Sequence, residues 1–176
     1  MAYVLALYFD SKSEAKISEI WQDLVCEDDI CSSPMHRPHI SLAMYDGNEV
    51  NIKPIKKAIK KLSKNLKSFR LELSYFGYFA NQESIFLGPK VNKELLAIQA
   101  RLYKKLKNHS HDLSEYSEPD IWIPHCTIVY NLSTDSFMAT IQKTKSIILP
   151  ISIKIEEIGF VQVLSEKAET IFSKKL

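Results

Sequence analysis

Two short segments, one in each half of the chain, repeat the same pattern of proline, histidine, hydroxyl and apolar residues. The first is residues 38–42 (PHISL) and the second is residues 124–128 (PHCTI). Both lie inside apolar runs of the kind that predict strands. Because side chains at positions i and i+2 of a strand share a face, each segment should present an imidazole and a hydroxyl on one side and apolar groups on the other.

The polar faces of these two segments carry His39 with Ser41, and His125 with Thr127. Two histidines can divide proton transfer near neutral pH, one neutral as the base and one charged as the acid. Hydroxyls and an imidazolium donate hydrogen bonds to phosphate oxygens. If the fold brings the two units together, they predict hydrolysis or transesterification of a phosphodiester without a metal or any other cofactor.

Other interpretations of the histidines remain open at this point. A single His-x-Ser unit in a strand is common, and the histidine of such a unit is usually half-buried and only contributes to packing. Two copies, each preceded by proline and each inside an apolar run, are much less expected by accident. The rival classes are an RNA-binding module with little turnover and an interaction protein whose histidines are structural.

With both units identified, the chain resembles the 2H phosphoesterase superfamily, whose signature is a duplicated H-x-[S/T]-apolar tetrad. Within it the chain is similar to the bacterial 2'-5' RNA ligase and RNA 2',3'-cyclic phosphodiesterase branch. The resemblance implies an α+β fold of two pseudo-symmetric lobes, each an antiparallel sheet with outer helices, and an active-site cleft between the lobes. Members of that branch often carry an arginine shortly after the second tetrad, where this chain has Val-Tyr-Asn at 129–131.

The resemblance also implies roles and a substrate. His39 and His125 would be the catalytic residues, and Ser41 and Thr127 would bind the non-bridging phosphate oxygens. The substrate would be RNA or a nucleotide that carries a 2',3'-cyclic phosphate or a 2'-5' linkage. We expect His125 to act as the base toward water and His39 as the acid toward the departing ribose oxygen, although the reverse assignment is open. The alternatives are a cyclic phosphodiesterase acting on a small nucleotide metabolite and a catalytically weak RNA-binding module.

Length and composition set the remaining expectations. The 176 residues fit one domain of two lobes, spanning residues 1–176. A net charge of +2 is too small to indicate nucleic acid by itself. The three cysteines, Cys26, Cys31 and Cys126, show no disulfide pattern, and the apolar first residues lack the basic start of a signal peptide. We therefore expect a cytoplasmic monomer with no membrane association.

Hydrophobic periodicity predicts the order of the elements. Strands are predicted over 3–9, 38–45, 69–79, 84–88, 121–130, 151–163 and 168–173. Helices are predicted from the region of Ser11 or Ser13 to about Cys26, over 52–67, over 92–108, and from Ser133 or Thr134 to about Ile147. Gly159 is a predicted site for a β-bulge.

Two further features bear on RNA binding. The helix predicted at 52–67 carries seven lysines, which either form a solvated outer face, the commoner case, or contact RNA phosphates. Some aromatic side chains are candidates for stacking a base, although core packing is the commoner role; they are Tyr45, Phe76, Phe79, Tyr130 and Phe160.

Overall fold

The apolar runs of the sequence form strands and its 3.6-residue repeats form helices, in the predicted order. The computed structural model describes residues 2–24, 37–47, 50–108, 112–164 and 168–176, so Cys26 and Cys31 lie outside it. The elements are β1 (Ala2–Phe9), α1 (Ser11–Leu24), β2 (His39–Tyr45), α2 (Ile52–Ser63), β3 (Phe69–Phe79), β4 (Ser84–Pro89), α3 (Lys93–Leu106), β5 (Cys126–Val129), α4 (Thr134–Thr144), β6 (Ile151–Val163) and β7 (Ala168–Lys175). None of the helices in these ranges is both long enough and apolar enough to cross a bilayer.

The strands are antiparallel and follow the order β2-β1-β6-β3-β4-β5, with β7 on β6. The long β6 connects the two halves. Its residues 155–163 pair with β1, and its other edge is shared between β3 at residues 151–155 and β7 at residues 157–163. The α+β class with antiparallel strands is therefore confirmed, and the sheets of the two halves are continuous through β6.

One face of the sheet is covered by helices and forms the main core. In β1, residues Tyr3, Leu5, Leu7 and Phe9 point into this core, whereas Val4, Ala6 and Tyr8 belong to a smaller cluster on the opposite face. Each fully buried leucine or isoleucine contributes about 1.5–3 kcal/mol of burial free energy. The helices therefore hold one face of the sheet, and the other face is left to form a cleft.

The two terminal strands of the path, β2 and β5, contact each other, so the sheet is strongly curled. The connection between α3 and β5 runs along the outer edge of β2. Ser114 N–H donates to the Met44 carbonyl at 2.9 Å and Asp46 N–H donates to the Asp112 carbonyl at 2.9 Å. The Ser117 hydroxyl accepts a bond from Met44 N–H at 2.9 Å. Backbone groups that an edge strand would leave unpaired are thus satisfied by residues 112–117.

Two further side chains, the partly buried Trp122 and the buried Gln99, complete this attachment. The Trp122 indole N–H donates to the Ser41 carbonyl at 2.9 Å. The Gln99 side-chain amide of α3 donates to the carbonyls of Leu42, at 3.3 Å, and Ser117, at 2.6 Å. These contacts carry the chain from the edge of β2 directly to the second tetrad.

Strand β5 is shorter than the predicted strand at 121–130. It begins at Cys126, because Ile121 and Trp122 both donate their N–H groups to the Glu118 carbonyl, at 3.0 and 2.7 Å, and close a turn. His125 therefore directly precedes the strand, whereas His39 is the first residue of β2.

Three local predictions can be compared with the structure. The prediction of a β-bulge at Gly159 is wrong, because this glycine pairs in register with Ala6 of β1 and Ser173 of β7. Helix α1 is capped by the Asp10 carboxylate, which accepts Ser13 N–H at 2.9 Å, and not by a serine. For α4 the predicted cap is confirmed, since Ser133 is its N-cap.

We predict that Gln99→Leu lowers the free energy of unfolding by about 1–3 kcal/mol, because two buried carbonyls lose a hydrogen-bond donor. Gln99 is only 1% exposed, so water cannot replace the amide. Urea unfolding measures the change, and Gln22→Leu, on the exposed face of α1, is the matched control. Equal stability of the two variants would contradict the attachment described above.

Candidate active site

Both tetrad histidines are held by the same backbone contact. The Nδ1 atom of His39 lies 2.9 Å from the carbonyl oxygen of Arg37, and that of His125 lies 2.7 Å from the carbonyl oxygen of Ile123. A carbonyl can only accept, so Nδ1 carries the proton in each neutral ring. The Nε2 atom is then the one that can exchange a proton with a substrate.

Each tetrad also ends in a one-residue β-bulge. In β2, Leu42 has no partner between Ser41 and Ala43, and in β5, Ile128 has none between Thr127 and Val129. The bulged residue and its successor are both buried, so two consecutive apolar side chains face the core. The predicted alternation therefore holds from the histidine to the hydroxyl and stops there, while Cys126 is fully buried as expected.

The His39 ring packs beside Tyr8, with ring centroids 5.9 Å apart. Gly159 makes this possible, because a Cβ atom there would come within 2.8 Å of the Tyr8 ring. Burial raises the pKa of Tyr8 to about 12, so its hydroxyl stays protonated at neutral pH.

Arg37, just before the first tetrad, is held by three contacts. Its guanidinium pairs with Glu14 at 2.8 Å and with Glu157 at 2.9 Å, and it lies over the Tyr8 ring at 4.6 Å. Burial raises the pKa of Glu157, but the hydrogen bonds from Ser173 and Arg37 and the charge of Arg37 hold that pKa below its usual value. Arg37 is exposed, and these contacts anchor the residue that supplies the carbonyl for His39 to α1 and β6.

The surroundings of His125 are apolar. Phe79 and Phe86 lie 5.1 and 5.2 Å from its ring, centroid to centroid. Gly77 leaves room for Phe86, since a Cβ atom there would overlap the Phe86 ring. Burial lowers the pKa of His125, and the hydrogen bond to Ile123 only partly opposes this. At neutral pH the ring is therefore predominantly the neutral imidazole that a general base requires.

The two tetrads lie close together in space. Strand β5 contacts β2, and the Cys126 thiol of β5 lies near the backbone of His39 in β2. A cavity of about 560 Å³ is bordered by Ser41 from one tetrad and His125 from the other. His39 and Thr127 are half-buried and are not among the residues that line this cavity.

Aromatic side chains dominate the wall of this cavity. They are Tyr78, Phe79, Tyr116 and Trp122, and Asn81 and Gln82 add side-chain amides. In the described part of the chain, the lining contains no lysine, arginine, aspartate or glutamate. The wall is thus suited to an uncharged, flat group adjoining the histidine.

Of the five aromatic residues proposed for stacking, only Phe79 lines the cavity. Tyr45 and Phe160 are fully buried in the core, and Phe76 packs against it. Sequence reasoning missed Tyr78, Tyr116 and Trp122. Tyr78 lies in β3, whereas Tyr116 and Trp122 lie in the connection between α3 and β5, and no periodic pattern in the sequence relates these two segments. Within the described ranges, no group of three His, Cys, Asp or Glu side chains is arranged to hold a metal ion.

The sequence profile of the 2'-5' RNA ligase superfamily matches residues 9–166. Comparison with the sequences of curated proteins finds no match.

Several solved structures share the fold over nearly the whole chain. TT0787 of Thermus thermophilus superposes with a TM-score of 0.70 at 15% identity, covering 100% of this chain and 98% of that one. E. coli LigT complexed with NADP+ gives 0.65 at 15% identity, with 99% and 96% coverage. The MHV ns2 PDE domain gives 0.57 at 13% identity, with 99% and 97% coverage. With the profile match spanning most of its length, the chain belongs to the 2'-5' RNA ligase superfamily, a branch of the 2H phosphoesterases.

Proposed function

We propose that this protein is a metal-independent phosphodiesterase that hydrolyses a 2',3'-cyclic phosphate or a 2'-5' phosphodiester at the end of an RNA or oligonucleotide. The observation that carries the proposal is the equivalent geometry of the two tetrads. Each histidine has Nδ1 bonded to the carbonyl two residues earlier, and each is followed by a hydroxyl residue and a bulge. Superfamily membership supports phosphoesterase chemistry in general.

The proposed reaction is an in-line displacement at phosphorus. Nε2 of His125 takes a proton from water, whose oxygen forms a bond to phosphorus. The bond from phosphorus to a ribose oxygen breaks, and Nε2 of His39 donates the proton that this oxygen needs. Ser41 and Thr127 donate hydrogen bonds to the non-bridging oxygens. The enzyme returns to its starting state when a proton passes from His125 back to His39 through solvent.

The environment of His125 supports this division of roles. Its aromatic, buried surroundings favour the neutral form of the ring, as a base requires. The role of acid then falls to His39, the histidine of the other tetrad.

The cavity next to His125 supports a nucleoside as the group attached to the phosphate. Its volume of about 560 Å³ falls within the roughly 300–1,000 Å³ typical of small-molecule sites. Aromatic faces stack bases, and amides bond to base edges. LigT, which shares the fold, has been crystallised with 3'-AMP and with ATP. The uncharged wall, sized for about one nucleoside, also favours the alternative substrate, a small cyclic nucleotide metabolite.

Substitution of either histidine tests the reaction. We predict that His39→Ala and His125→Ala each lower kcat for a 2',3'-cyclic mononucleotide by about 10²–10⁴-fold, as expected when a general acid or base is lost. Activity of the unsubstituted protein should persist in excess EDTA. His111→Ala, which lies outside both tetrads, is the control, and thermal melting checks that the variants are folded. Full activity in either tetrad variant would refute the mechanism.

The lowered pKa of His125 predicts the acid side of the pH profile. Only the neutral ring accepts a proton, so kcat/KM should rise with pH through a midpoint below the ordinary histidine value of 6.5. Phe79→Ala removes part of the apolar surroundings and should move this midpoint up toward 6.5, because the charged ring is then less penalised. An unchanged midpoint in a folded Phe79→Ala protein would show that burial does not set the pKa.

Tyr116 tests whether the cavity holds the base. Its side chain is 68% exposed, so Tyr116→Ala should cost little stability. Loss of a stacking partner worth about 1–3 kcal/mol should raise KM by roughly 5–150-fold with little change in kcat. Tyr116→Phe keeps the ring and should behave like the unsubstituted protein. A normal KM for Tyr116→Ala would place the base elsewhere.

A further inference from the structure

Helix α2 and the turn after it carry charge of one sign only. Residues 50–67 contain seven lysines and no aspartate or glutamate, the lysines being Lys53, Lys56, Lys57, Lys60, Lys61, Lys64 and Lys67. The formal charge of the whole chain is +2, so the rest of the chain carries 2 − 7 = −5. The net positive charge of the chain is therefore due to this segment.

The lysines of α2 also share one face of the helix. At about 100° per residue, the five lysines from Lys53 to Lys61 fall within an arc of roughly 140°. The opposite arc holds Ile55, Ala58 and Ile59, which are 2%, 7% and 0% exposed. Since the apolar side is packed against the core, the lysine side is directed outward.

This concentration of charge is unfavourable in the free protein. Lys53 and Lys57, and likewise Lys57 and Lys61, are i,i+4 pairs of like charge, which destabilise a helix. Within the described residues, none of the lysines of this helix takes part in an ion pair. The Nζ atoms of Lys56 and Lys60 lie 5.7 and 5.8 Å from the ring centroid of Phe172 in β7, a cation–π contact that is attractive but brings no negative charge.

The cavity at the tetrads has the opposite character, because its described lining carries no cation. A polymer with several phosphates must therefore find its positive partners elsewhere on the molecule. A bilayer is a poorer fit to α2, because a surface helix inserts an apolar face and here Ile55 and Ile59 are already buried in the core. The lysine face supplies charge alone, which is what the phosphate backbone of a nucleic acid requires.

We propose that the lysine face of α2 is a docking surface for the phosphate backbone of single-stranded RNA, distinct from the cleft in which one terminal nucleotide reacts. The choice of RNA over other polyanions rests on the proposed function. Docking at α2 makes the affinity for RNA depend on the length of the RNA and on the salt concentration. Turnover of a mononucleotide does not depend on this docking surface.

The test compares salt dependence. Binding of a fluorescently labelled single-stranded RNA with a 3'-phosphate is measured against salt concentration for the unsubstituted protein and for Lys53→Gln/Lys57→Gln/Lys60→Gln/Lys61→Gln. Each lost phosphate contact should reduce the slope of log K against log salt by about 0.7, and therefore by up to about 3 in total. The control is Lys93→Gln/Lys104→Gln/Lys105→Gln on exposed positions of α3, which should keep the slope.

Two further measurements separate the possible outcomes. Turnover of a 2',3'-cyclic mononucleotide should be the same in the quadruple variant and the unsubstituted protein. Equal salt slopes for these two proteins would overturn the docking surface, as would lysine-dependent binding to phosphatidylserine vesicles without binding to RNA. If the unsubstituted protein turns over no cyclic nucleotide, the proposed function fails, and the salt slopes still decide the docking surface.

Discussion

The attachment of residues 112–122 to the outer edge of β2 is the constraint on which the site depends. Strands β2 and β5 lie at opposite ends of the sheet order, and the pairing of strands alone would leave their tetrads apart. Backbone bonds from this segment, the Ser117 hydroxyl and the Trp122 indole fasten the approach to β5 onto β2. These bonds satisfy backbone groups at the edge of β2. They also position the second tetrad so that His125 borders the same cavity as Ser41.

The two tetrads use one backbone arrangement in two different environments. The contact from Nδ1 to the carbonyl two residues earlier, the bulge after the hydroxyl residue, and a glycine that admits an aromatic ring occur in both halves. The neighbours differ, since His125 lies among phenylalanines and His39 lies near an arginine held by two glutamates. The similar backbone positions two equivalent rings, and the apolar surroundings of one of them lower the pKa of His125.

The distribution of charge fits a division between the cavity at the tetrads, where the reaction would occur, and the lysine face of α2, where the phosphate backbone would bind. The cavity beside His125 offers stacking faces and amides but no charge in its described lining. A run of seven lysines without a carboxylate lies on α2 and the turn after it, and the apolar side of α2 is buried in the core. A neutral wall suits one base, because a fixed charge there would have to be desolvated on binding. A lysine face suits many phosphates, because each contact releases counterions.

The sequence by itself determined the element order, the helix-bearing face and the identity of the tetrads, because these follow from local periodicity and from residue chemistry. Ile40, Leu42 and Cys126 were expected in the core and are there. It did not determine the bulges at Leu42 and Ile128, the short β5, or the aromatic wall of Tyr78, Tyr116 and Trp122. Only the tertiary structure decided these features, because each depends on which distant backbone group satisfies a given N–H or carbonyl, and pairing of that kind leaves no periodic pattern in the chain.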